Sequence, residues 1–130
     1  MAYDLQQNKA FVIRTDIQSK LLDIHPRVFH GDAPADTEYP FVLYNLPNAA
    51  TLDRVDVIDL EIDIWDDKST TSDLEVLTDR IDKALHRYTG GNEHVFYTIY
   101  RENRLSIRDP EVILKRRQLV FQIRTMGVND

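Results

Sequence analysis

Residues Val57–Asp66 read V-I-D-L-E-I-D-I-W-D, an unbroken alternation of apolar and acidic side chains. Successive side chains of a strand point to opposite faces. Ile58, Leu60, Ile62 and Ile64 therefore share one face, and Asp59, Glu61 and Asp63 share the other. One face must be buried, while the other carries three closely spaced carboxylates. Trp65 closes the run, and Ser/Thr-rich residues then lead into a helix.

Moving outward toward the C-terminus, Ser72 and Glu75 form a candidate capping box, with Asp73 also favourable in a first helical turn. Leu74, Leu77, Ile81, Ala84, Leu85 and Tyr88 build one apolar helix face. Asp79 and Lys83 are spaced for an i,i+4 ion pair. His86 and Arg87 suit the negative end of the helix, and Gly90-Gly91 reads as its stop. From His94 a strand pattern returns: Val95, Tyr97 and Ile99 alternate with Phe96, Thr98 and Tyr100, which predicts cover on both faces. Arg101–Arg104 is a polar stretch, Leu105 and Ile107 resume the pairing, and Asp109-Pro110 is a turn signal. A last strand is predicted over about Val112–Thr125, with Leu119, Phe121 and Ile123 on one face and Gln118, Gln122 and Arg124 on the other.

Toward the N-terminus, Tyr39–Leu46 is a β-branched and aromatic strand in which Pro40 fits only the start or a sheet edge. Pro47-Asn48-Ala49-Ala50 supplies a turn, and the short link to the acidic strand favours antiparallel pairing. Ala10, Ile13, Ile17, Leu21 and Ile24 recur at helical spacing, predicting a helix over about residues 4–24 that begins near Asp4 and is ended by Pro26. His25–Glu38 is then a long connection, with a short strand possible at Arg27–His30. The expected fold is α+β: one domain over residues 1–130, with an antiparallel sheet of about four strands and two helices packed on one face.

The 130 residues carry 42% hydrophobic and 29% charged side chains, a globular balance long enough to bury a sizeable core. Sixteen Lys and Arg against 22 Asp and Glu leave a formal net charge of −6. That balance argues against gripping duplex DNA, where affinity comes from neutralising phosphates, but not against surrounding it. The absence of cysteine excludes disulfides and thiolate metal sites. No apolar run approaches the roughly 20 residues that span a bilayer. Met1-Ala2-Tyr3-Asp4 does not open like a signal peptide, so the expectation is a protein without a membrane partner.

Catalysis finds no support in the pattern. His25, His30, His86 and His94 lack metal-ligand spacing. Asp53, Asp56, Asp59, Glu61, Asp63, Asp66 and Asp67 lack the Gly turn and distal Glu of a calcium loop. Carboxylates two apart on a strand stand roughly 6.5–7 Å apart, wide for one ion. Asp59, Glu61 and Asp63 also look alike, whereas acid–base chemistry needs carboxyls in contrasting environments. No nucleophile elbow, phosphate loop or dinucleotide glycine pattern occurs. Neither enzyme activity nor a catalytic, cofactor or metal site is expected.

The charges are segregated along the chain. Asp53–Asp67 is acidic, whereas Tyr100–Met126 holds Arg101, Arg104, Arg108, Lys115, Arg116, Arg117 and Arg124. Two readings stay open: cross-strand pairing inside one subunit, or attraction between neighbouring copies in a head-to-tail ring. On the second reading Arg101, Arg104, Arg108, Lys115, Arg116 and Arg117 are candidate inter-subunit or partner contacts.

The succession Tyr39–Leu46, then Asp59–Asp66, then S-T-T-S-D-L-E-V-L-T-D-R-I-D-K-A-L at Ser69–Leu85 resembles the tail completion proteins of tailed bacteriophages, also called tail terminators or tail-to-head joining proteins. The resemblance covers about residues 5–126. It implies a structural virion protein in the tail or neck, assembled in the host bacterial cytoplasm as a hexameric ring at the head-proximal end of the tail. There it would stop polymerisation of the tail tube protein and meet the head–tail connector or stopper protein, while DNA passes through without specific binding. The family has no catalytic residues to transfer. Within this picture Asp59, Glu61 and Asp63 are candidate channel-lining residues. His25–Glu38 and the hairpin tip near Arg101–Asp109 are candidate partner contacts. Alternatives are a head-side stopper or adaptor ring, and a non-viral α+β protein-binding module.

Overall fold

Ile58, Leu60, Ile62 and Ile64 are all fully buried in the computed structural model, as their alternation requires. The described residues are 8–48, 57–108 and 114–126, without the side chains of Arg108 and Met126. The elements run α1 (Lys9–Ile24), β1 (Val28–His30), β2 (Phe41–Asn45), β3 (Val57–Asp66), α2 (Ser72–Leu85), β4 (Thr89–Gly91), β5 (Phe96–Arg108) and β6 (Lys115–Met126). The expected turn at Ala49-Ala50, the turn at Asp109-Pro110 and the predicted strand start at Val112 lie outside the described residues.

The sheet has six strands in the order β1-β2-β3-β6-β5-β4. It is mixed, which corrects the expectation of about four antiparallel strands. The connection Gly31–Pro40 carries the chain back to the end where β1 began, so β1 and β2 pair parallel, Val28 opposite Val42 and His30 opposite Tyr44. All other neighbours are antiparallel. The sixth strand comes from Thr89–Gly91. Gly90-Gly91 does not end α2; His86 caps it, and the two glycines pair with Tyr97 and Phe96.

The core lies between the apolar sheet face and both helices. Ile13, Ile17 and Leu21 of α1 and Leu74, Ile81 and Leu85 of α2 meet β3 residues and Leu119, Phe121 and Ile123 of β6 in one cluster. α2 packs over β3, β5 and β6, whereas α1 touches both outermost strands, β1 and β4, so the sheet curls around α1. On one flank Gln18 Nε2 donates to the Val28 carbonyl at 3.4 Å; on the other the Tyr97 hydroxyl donates to Asp16 at 2.6 Å. Burial first, and then the Asp16 carboxylate, push the Tyr97 hydroxyl far up, so it stays protonated as the donor.

Local chemistry accounts for the helix starts, with one correction, at α2. α1 begins at Lys9, because the Asn8 side chain accepts from the Phe11 N–H at 2.9 Å and caps the first turn. The expected start near Asp4 lies outside the described residues. Ser72 is the first residue of α2 and not its cap. Thr71 stands at the cap with no side-chain bond, and Glu75 turns away to arginines instead of closing a capping box. β5 also differs from its predicted form. It is covered on one face only, leaving Phe96 and Tyr100 exposed, and it continues through the polar stretch to Arg108 across a register irregularity at Arg101/Asn103.

Candidate functional site

The sheet face turned away from the helices carries the acidic row of β3. Its three carboxylates, alike in sequence, differ in surroundings. The Asp63 side chain is only 15% exposed, accepts from Gln118 Nε2 at 3.2 Å and lies 3.7 Å from Arg116 Nη1. Burial lifts its carboxyl above the usual range, with Arg116 and Gln118 acting the other way. Asp59 and Glu61 are partly exposed, and neither carboxylate has a hydrogen bond or ion pair among the described residues. The face therefore presents two free carboxylates and one that is internally engaged.

Beside them the same face has an aromatic corner. Phe41 stacks on Trp65 at 6.3 Å and meets Phe29 edge-on at 6.4 Å. The Arg116 guanidinium lies 4.9 Å over the Trp65 ring. At the opposite end Arg124 lies over Tyr100 and bonds the Gln122 side chain.

The basic cluster is divided between the two faces of the sheet. Glu75, Asp79 and Asp82 stand at i, i+4 and i+7 on α2, on one side of the helix. Arg101 donates to Asp82 at 2.7 Å, Arg104 donates to Asp79 and Glu75, and Arg117 donates to Glu75. Arg104 holds the Asp79 carboxyl below its ordinary range, and the same hydrogen bond holds the Arg104 guanidinium above its own. This network docks α2 on the β5–β6 hairpin and takes the place of the expected Asp79–Lys83 pair. Lys115 Nζ donates to the Lys68 carbonyl at 2.7 Å. The side chain of Arg108 lies outside the described residues. The structure therefore brings Arg101, Arg104 and Arg117 onto acids of α2 in their own chain, not onto the acidic strand, which among the described residues meets the basic segment at Arg116 and Asp63. The i, i+4, i+7 acids of α2 were the sequence signal for it.

A groove not anticipated from sequence runs along α1 beside β1. Its main part, about 520 Å³, is lined by Arg14, Gln18, Leu22, Asp23, His30 and Tyr44. A smaller part of about 260 Å³ continues past Arg14 and His30 to Phe11 and Leu46. The His25–Glu38 connection bounding it is tied to the start of β2. His25 Nε2–H and Arg27 Nε–H both donate to the Pro40 carbonyl, at 2.8 and 2.9 Å. No group of three or more His, Cys, Asp or Glu among the described residues is placed to hold a metal ion. No helix there is long and apolar enough to cross a membrane.

Both loop histidines are held below their ordinary value. Burial is the main cause for each, with Arg27 and Arg80 adding to it at His25 and Arg14 at His30; the Pro40 carbonyl partly offsets it at His25. The unfolded chain then takes up protons at a pH where the folded chain does not. Stability present above pH 6.5 should be lost as the pH falls through the lower folded values. Urea denaturation between pH 7.5 and 5 measures this, and replacing both residues (His25→Gln, His30→Gln) should flatten the decline. An unchanged slope in that variant would remove the histidines as its source.

No curated protein matches the sequence. Among solved structures, a chain from the virion of a native gene transfer agent particle superposes with a TM-score of 0.62 at 15% identity, covering 97% of this chain and 100% of that one. At that identity the likeness concerns the fold. The sequence itself matches the family described as tail completion protein gp17 over residues 17–126, from the middle of α1 to the end of β6. The chain belongs to the tail completion protein gp17 family, and it is a structural protein of the bacteriophage tail.

Proposed function

We propose that six copies of this chain close into a ring at the head-proximal end of the tail. The ring ends polymerisation of the tail tube protein and offers its other surface to the head connector, while DNA passes through the opening. The role is structural: no covalent bond is made or broken and no cofactor takes part. The observation that carries this reading is the helix-free sheet face with Asp59 and Glu61 on it, unpaired among the described residues. A wall that DNA must slip past should repel phosphates, and repeated rows of free carboxylates supply that field. Asp63, bound to Gln118 and facing Arg116, sets the geometry of the row more than its charge. Arg116 and Lys115 lie at the Trp65 end of the same sheet, where a neighbouring subunit or partner can reach them.

The test replaces Asp59 and Glu61 with lysine together. Ring formation, with six copies counted by native mass spectrometry, should persist, while DNA passage through assembled particles slows severalfold. Rings that fail to form would make this face an interface and end the lumen reading.

A further inference from the structure

The sheet ends in two edges of different kinds. At the first, Val42 N–H bonds the Arg27 carbonyl at 2.9 Å and Gly31 N–H bonds the Tyr44 carbonyl at 3.0 Å. In a parallel ladder this turns the backbone of Phe29 toward β2 and that of Val28 and His30 outward. Gln18 already occupies the Val28 carbonyl and Asp32 N–H the His30 carbonyl, at 3.4 and 3.0 Å. The outward N–H groups of Val28 and His30 have no acceptor among the described residues.

The second edge is the far half of β5. β4 covers β5 only at Phe96–Thr98. Just beyond, Ile99 bonds Tyr88, and the Arg101 N–H donates to His86 Nδ1 at 3.0 Å, so odd-numbered residues there point away from β6. The extra residue at the Arg101/Asn103 irregularity reverses that parity. From there Asn103, Leu105 and Ile107 bond β6, and the backbone of Arg104 and Ser106 faces outward. Asn103 Oδ1 takes the Arg104 N–H at 2.9 Å. The Arg104 carbonyl and both backbone groups of Ser106 have no partner among the described residues. Leu105 beside them is 39% exposed.

We propose that this β5 edge, Arg104–Ser106, pairs main chain to main chain with the β1 edge of a second copy. The proposal rests on the ring reading and specifies its subunit contact. Two unlike edges make a head-to-tail joint, which generates a ring, whereas joining like edges would stop at a dimer. The free groups match, since β1 offers N–H donors and β5 offers carbonyl acceptors. The groove beside β1 leaves room for the side chains of an incoming strand. Asp32 and Asp36, exposed and without ion pairs among the described residues, follow β1 and would approach the arginine-bearing β5. Edge-to-edge joining also keeps every helix-free face on one side of the continuous sheet, which turns Asp59 and Glu61 of all copies the same way.

Ser106→Pro removes an outward N–H and puts a ring in the path of the incoming strand, while the bonds of Leu105 and Ile107 to β6 remain. Sedimentation velocity up to millimolar concentration should show association weakened by about 30-fold or more per contact, the scale of two lost hydrogen bonds. His30→Pro should weaken it alike from the β1 side. Circular dichroism of each monomer reports whether it still folds. In the unaltered chain, the His30 amide, whose outward N–H is the donor of the joint, should exchange fast with solvent in the monomer and slowly in the ring, a readout that needs no variant. A ring whose His30 amide still exchanges fast overturns the contact and leaves the ring reading standing. Normal assembly by folded His30→Pro overturns β1 as the partner edge. A chain that remains monomeric at millimolar concentration overturns both readings.

Discussion

Phe121→Ala should lower the free energy of unfolding by about 3–5 kcal/mol, the usual cost of truncating a fully buried phenylalanine. Phe121 is 0% exposed on the central strand β6, opposite Leu60 of β3 on one side and Arg101 of β5 on the other. Its ring lies in the cluster shared by both helices and the sheet. Removing it leaves a cavity that rigid cross-strand neighbours cannot collapse to fill. Against a typical total of about 5–15 kcal/mol, that is a large fraction. The melting temperature should fall by roughly 10–20 °C in a chain of this size. Urea denaturation with circular dichroism measures it. A loss below about 1 kcal/mol would mean that β6 is not the centre of the core.

Gly91→Ala should cost about 2–3 kcal/mol, the scale of a strained backbone forced on a residue with a side chain. Gly91 has φ +118°, and a Cβ there would stand 1.8 Å from the Val95 carbonyl oxygen. That oxygen is held by the Asn92 N–H at 2.8 Å, and the Asn92 side chain accepts from the N–H groups of His94 and Val95. The turn has little freedom to yield, so the β4–β5 pairing should loosen. Gly90→Ala makes a useful comparison, because its Cβ would meet chiefly the side-chain atoms of Tyr97 and Tyr88. Faster amide exchange at Asn92 together with the stability loss would support the assignment. A Gly91→Ala protein as stable as the parent would show that the turn adapts.

The glycine pair illustrates what is hard to read from one sequence. A Gly-Gly after an amphipathic helix has the local form of a helix stop, and only the return of β5 beside it makes it a strand. The core strands were easier. Ile58 to Ile64 and Leu119 to Ile123 repeat every second residue, a pattern produced by the backbone itself, and all of them are buried. The α1 row of Ile13, Ile17 and Leu21 was legible for the same reason at helical spacing. The parallel β1–β2 pair was not, since the partners are joined through an irregular connection whose path no periodicity records. The difference between Asp63 and its two neighbours was equally hidden, because it depends on Gln118 and Arg116 arriving from β6.

The chain by itself determined the period of each element and which side of β3 and β6 had to be buried. Those properties are local, set by side-chain alternation and backbone sterics within a few residues. Tertiary structure alone decided the strand order, the two unlike edges, and the partners of the charges. Glu75 meets Arg104 and Arg117 only because α2 crosses the β5–β6 hairpin, at sequence separations of 29 and 42 residues. Contacts of that range follow from how whole elements pack, and packing leaves Asp59 and Glu61 of β3 without a side-chain partner among the described residues.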